Sequence, residues 1–155
     1  MLSREVALAD SLTKRDPTNT VHAQYLCVTY SRLGDTQMIL GASDAALVCY
    51  QKYIAVAHQL VAMGDTDNIQ FNRELYLAYY KIGEAQSALG AHDAAMEAYQ
   101  SSTTIIEELV ALHPQRHEFA LARDATYSKQ AQLSKTDVDK TLSSFWAEQI
   151  LRQAE

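Results

Sequence analysis

Apolar positions recur at steps of three and four through most of this chain, the spacing that lines one face of an α-helix. Phe71, Leu75, Ala78, Tyr79, Ile82 and Leu89 make one such face. After Gly90 the pattern restarts with Ala95, Tyr99, Ser102, Ile106, Leu109 and Val110. Earlier in the chain Ala46, Tyr50, Tyr53, Ala57, Leu60 and Val61 do the same. Five glycines and two prolines are too few for a sheet-and-turn protein, so the expectation is an all-α protein of long helices.

The helices come in pairs that repeat. SRLGDTQMILGASDAALVCYQ at 31–51 returns as YKIGEAQSALGAHDAAMEAYQ at 80–100, an offset of 49 residues with ten of 21 positions identical. A period of this length marks stacked supersecondary units, none able to bury its apolar face alone. Gly41 and Gly90 fall where the first helix of each pair must end, because glycine takes the left-handed conformation that stops a helix. Asp44 and Asp93 follow in the first turn of the next helix, where a carboxylate complements the helix dipole. Pro17 and Pro114 mark joints between pairs. The joint between the two copies reads GDTDN at 64–68, with Gly64 as terminator and Asp67 or Asn68 as helix cap. Gly34 and Gly83 lie inside helices, where glycine costs about 1 kcal/mol relative to alanine. Their recurrence points to a close helix crossing, with Tyr50 and Tyr99 as the residues that fill it.

The ends read as incomplete copies. Residues 3–16 form a second helix without its first, with Leu12 equivalent to Leu60 and Leu109. Residues 116–133 form a third first-type helix, and Asp139 to Phe145 repeats the interval of Asp44 to Tyr50 and Asp93 to Tyr99. The expected architecture is one domain over 1–155, a right-handed α-solenoid of about seven antiparallel helices: a partial repeat at 3–16, repeats at 19–64 and 67–113, and a divergent terminal repeat at 115–153.

Leu33, Gly34, Gly41, Ala46 and Tyr50, and again Ile82, Gly83, Gly90, Ala95 and Tyr99, stand in an order that resembles the tetratricopeptide repeat. The unit is longer than the family's usual 34 residues, and resembles the long-unit arrays of bacterial multidomain proteins. The resemblance implies a noncatalytic interaction module whose first-type helices line a concave groove for a peptide or helix of a partner. Carried over position by position, that groove would present Val28, Ser31, Asp35 and Met38, then Leu77, Tyr80, Glu84 and Ser87. Gln24 and Arg73 extend it by a turn, and Tyr127 and Gln130 are the nearest equivalents in the third copy. The chaperone-binding members of the family clamp a terminal carboxylate with Lys and Asn. Here Ser31, Asp35, Tyr80 and Glu84 take those places, so a basic or amphipathic ligand is expected instead.

Composition narrows the classes. A net charge of −6 and the lack of any Lys/Arg-rich run disfavour nucleic acid. No apolar run approaches the ~20 residues that span a bilayer, the start MLSREVALADSLTKRD lacks a secretory core, and Cys27 and Cys49 read as reduced structural thiols. A cytoplasmic protein is the expectation. No phosphate loop, nucleophile elbow or zincin motif occurs, and His113 and His117 straddle a joint with no third ligand nearby. No enzyme activity, cofactor or metal is therefore expected. Five tyrosines, Tyr30, Tyr50, Tyr53, Tyr79 and Tyr99, fall on the packing face; Tyr25, Tyr76 and Tyr80 lie off it, and Tyr80 falls on the inferred groove. The alternative function is self-assembly through the repeat ends. Val6, Leu8 and Leu12 of the unpaired first helix are the candidate contacts, either with a second copy or with preceding repeats of a longer chain, while the mixed final helix is expected to cap the stack.

Overall fold

The computed structural model describes residues 2–64 and 68–153. Among them are six helices: α1 (Leu2–Arg15), α2 (Thr20–Ile39), α3 (Ser43–Met63), α4 (Ile69–Ala88), α5 (His92–Leu112) and α6 (His117–Gln153). Each packs on the one before it as an antiparallel neighbour, and α2 also touches α4 directly. The array is therefore helical throughout, with α2–α3 and α4–α5 as its two complete pairs.

Local chemistry sets the helix ends as the repeat implies. Gly41 and Gly90 adopt φ of 75° and 76°. In each copy the glycine N–H and that of the following residue reach back to carbonyls of the last turn: Gly41 to Met38 and Ala42 to Gln37, Gly90 to Ser87 and Ala91 to Gln86. This pair of bonds satisfies the free carbonyls at a helix C-terminus. Asn19 caps α2 by accepting from Val21 and His22, and Asn68 caps α4 by accepting from Phe71. Asp67, the other candidate cap, lies outside the described residues. Gly64 ends α3 with a negative φ, so its reason is space: a Cβ there would stand 2.6 Å from the Phe71 ring.

The interior glycines mark close crossings. A Cβ on Gly34 would lie 2.3 Å from the Tyr50 ring, and one on Gly83 would lie 2.6 Å from that of Tyr99. Both tyrosines are buried. The main core runs through α1 to α4 around Leu26, Tyr50, Tyr53 and Leu60, and a second cluster joins Tyr76, Ile106, Leu109 and Phe119 across α4, α5 and α6.

One buried polar contact pins α3 to α4: the Tyr53 hydroxyl donates to Glu74 at 2.6 Å, and Gln70 donates to the other carboxylate oxygen at 3.3 Å. Removing the stronger donor leaves a carboxylate of a buried residue under-satisfied, so Tyr53→Phe should cost about 1.5–3 kcal/mol in chemical denaturation. Burial also pushes the Tyr50, Tyr53 and Tyr99 hydroxyls well above their ordinary value of 10.0. An unfolded chain releases these protons near pH 10 while the folded chain keeps them. Their contribution is thus whole below pH 10 and lost as pH rises beyond it. The thermal midpoint should fall steeply in that alkaline range, and tyrosinate absorbance should appear with unfolding rather than before it.

The third pair departs from expectation. Residues 117–153 form one continuous helix, so there are six described helices rather than seven. The stretch SKTDVDKT at 134–141 holds neither glycine nor proline, so nothing terminates the helix where Gly41 and Gly90 terminate theirs. Asp139 sits inside the helix instead of opening a new one. Residues 117–133 pack on α5 through Phe119, Thr126 and Leu133, and beyond Asp137 the described side chains are exposed, with Gln149 alone at intermediate exposure. The final segment does not lie across the stack as a cap; it runs past it.

Candidate functional site

The first-type helices α2, α4 and α6 stand side by side, and one charged pair joins each to the next. Lys81 of α4 reaches back to Asp35 of α2 at 2.5 Å, and Lys129 of α6 reaches back to Glu84 of α4 at 3.0 Å. The Asp35 oxygen that meets Lys81 also accepts the Tyr50 hydroxyl at 2.7 Å, and the Lys81 ammonium lies over the Tyr50 ring. Glu84 in turn holds the Lys129 ammonium above its ordinary range, chiefly through the hydrogen bond between them. Asp35 and Glu84 are thus each matched by a lysine of the next first-type helix, a pairing not assigned from the sequence.

Two concavities open along these helices. One, of about 360 Å³, is lined by Met38, Glu84, Ser87, Tyr99, Lys129 and Leu133 among others, and spans all three first-type helices. The other, of about 260 Å³ and almost wholly apolar, lies between α4 and α6 and is lined by Tyr76, Leu77, Tyr80, Ala122, Ala125 and Thr126. The Tyr80 ring leans on that of Tyr99 at 5.7 Å between centroids, and burial followed by the nearby Glu84 raises its hydroxyl pKa. Leu77, Tyr80, Glu84, Ser87 and Met38 therefore share one lined surface. A mixed concavity and an apolar one meet along α4.

The remaining candidates are spread more widely. Gln24 and Ser31 are half-buried on α2, Val28 is exposed there, and Arg73 is exposed near the start of α4. Tyr127 donates its hydroxyl to Glu107 and Gln130 bonds Thr103, so both turn toward α5. Lys129 and Leu133 stand in the third-copy positions that face the concavity. Tyr76, off the packing stripe in sequence, is buried because Phe119 of α6 closes over it. At the other end Val6 and Leu12 are half-buried in the packing of α1, and Leu8 is 58% exposed. Cys27 and Cys49 are free thiols, and burial pushes both above their ordinary range. Among the described residues no cluster of three or more His, Cys, Asp or Glu could hold a metal ion, and no helix is long and apolar enough to cross a membrane.

A side-by-side row of first-type helices, of which α2 and α4 are each followed by an antiparallel partner and ended by the same glycine motif, defines a helical-repeat class. In agreement, the family model described as Tetratricopeptide repeat matches residues 76–108, from Tyr76 of α4 to Glu108 of α5. The matched stretch holds Gly83, Gly90, Ala95 and Tyr99, the residues that form the crossing and turn; the extra turns at 69–75 and 109–112 lie outside it. No curated protein and no solved structure matches the chain.

Proposed function

We propose that the surface along α2, α4 and α6 binds a helix or extended peptide of another protein, and that the chain acts without catalysis of its own. A tetratricopeptide repeat implies a protein-interaction module in general terms. The observation that carries the finer reading is the apolar concavity at Tyr76, Leu77 and Tyr80 beside the charged pairs of Asp35 with Lys81 and Glu84 with Lys129. With both acids already matched, a purely basic ligand gains little from them. An amphipathic segment fits better, placing one large apolar side chain in the concavity and polar groups over the charged pairs.

A displayed library of short peptides, selected on the immobilised chain, tests this. Enriched sequences should carry bulky apolar residues at helical spacing, and their binding should change little with salt because the groove is internally neutralised. A set enriched only for lysine and arginine, with steep loss of binding in salt, would overturn the amphipathic reading. Enrichment equal on wild type and on a Leu77→Ala, Tyr80→Ala variant would remove the groove from the account.

A further inference from the structure

Among the described residues nothing packs against the distal half of α6. Beyond Asp137 it makes no hydrogen bond to the rest of the described residues; the last such link is the His92 to Asp137 contact at 2.7 Å. Along it Val138, Leu142, Phe145, Trp146 and Ile150 recur at steps of four, three, one and four, and all are at least half exposed, Trp146 at 61%. At 100° per residue these five share one face, and it is the face opposite Phe119, Thr126 and Leu133, which pack on α5. The stripe therefore cannot meet its own stack while α6 stays straight.

We infer that this stripe pairs two copies of the chain through an antiparallel contact of their distal α6 helices. The sequence is close to symmetric about Ser144: an antiparallel mate sets Val138 opposite Ile150 and Leu142 opposite Trp146, with Phe145 packed between them on both copies. Space selects the direction: a parallel pair would set the two stacks side by side at one end of the contact, whereas the antiparallel arrangement keeps them apart. Five such side chains leave on the order of 500 Å² exposed per copy, given that a large ring presents about 150–250 Å². The pair then reaches the lower bound of a specific interface, about 1,000 Å² in total, before the flanking stems are added. The two stacks sit at opposite ends of the contact and do not collide. This inference is independent of the groove and would stand if the groove proved empty.

Trp146 is the sole tryptophan, so its emission reports on the contact directly. Sedimentation and tryptophan fluorescence of the full chain, followed over a wide concentration range, should show a dimer forming together with a shift of emission to shorter wavelength. Leu142→Glu should weaken that dimer by roughly tenfold or more while leaving the circular dichroism of the body intact. When Val138→Cys and Ile150→Cys chains are mixed in air, a disulfide should join one of each; linkage of Val138→Cys to itself would show a parallel pair and overturn the arrangement. A strict monomer with fully exposed tryptophan overturns the inference. So does a monomer with shielded tryptophan, which would mean that the segment folds back on its own stack. A dimer indifferent to Leu142→Glu but abolished by Leu8→Glu would place association at the N-terminal helix instead.

Discussion

Replacing Gly83 with leucine should destabilise the protein by about 1–3 kcal/mol, because the helix crossing at Tyr99 has no room for a side chain. Even Gly83→Ala should be unfavourable. On an open helix that exchange gains about 1 kcal/mol from backbone propensity, but here the added carbon would sit 2.6 Å from a tyrosine ring that is 1% exposed. The equivalent change at Gly34 meets the Tyr50 ring at 2.3 Å, and that ring is further tied through its hydroxyl to Asp35. The sign of the alanine effect is the diagnostic. Chemical denaturation that finds Gly34→Ala and Gly83→Ala stabilising would show that the crossings are loose. Trimming the ring should restore part of the loss, so a Gly83→Ala, Tyr99→Leu double variant should be less destabilised than the sum of the two singles.

A peptide that occupies the groove should lose roughly thirtyfold or more in affinity when Leu77 and Tyr80 are both cut to alanine. Apolar anchors in a desolvated pocket carry most of the energy of such contacts, often about 2 kcal/mol or more at one residue. Leu77 and Tyr80 are half-buried and pack on the two smaller core clusters, so the thermal midpoint should fall somewhat while helicity holds below it and calorimetric affinity at that temperature falls far more. Removing the lysines acts differently. Lys81→Ala with Lys129→Ala frees Asp35 and Glu84, and the variant should then favour basic peptides and respond to salt in a way the wild type does not.

The two complete pairs were legible because the ends of α2 and α4 have local causes that repeat. Gly41 and Gly90 stop helices by conformation alone, Asn68, one of two caps offered by the sequence, starts α4 by bonding its own first turn as Asn19 does for α2, and the recurrence of Gly34 with Gly83 pointed to crossings that Tyr50 and Tyr99 do fill. The third pair was misread for an instructive reason. The interval from Asp139 to Phe145 matched that of the earlier copies, but no residue between 134 and 141 can end a helix, and the absence of a stop outweighs a likeness of spacing. The lysines that pair with the acids of the first-type helices were not legible. Asp35 with Lys81 and Glu84 with Lys129 meet across helices, and that pairing depends on how far one helix slides against the next. The same register explains Tyr127 and Gln130: a shift of one or two positions on a helix turns a side chain from the concave face to the α5 side. Tyr76 looked free on α4 because its cover, Phe119, comes from beyond the second copy.

The groove is most directly tested by recording amide chemical shifts of the isotopically labelled chain during titration with a selected peptide. If the surface along α2, α4 and α6 is the binding site, the largest changes should cluster at Met38, Leu77, Tyr80, Glu84, Ser87 and Lys129, with α3 and the outer face of α5 little affected. Changes concentrated instead on the exposed faces of α3 and α5, around Val48 and Glu97, with the α4 positions silent, would contradict the account.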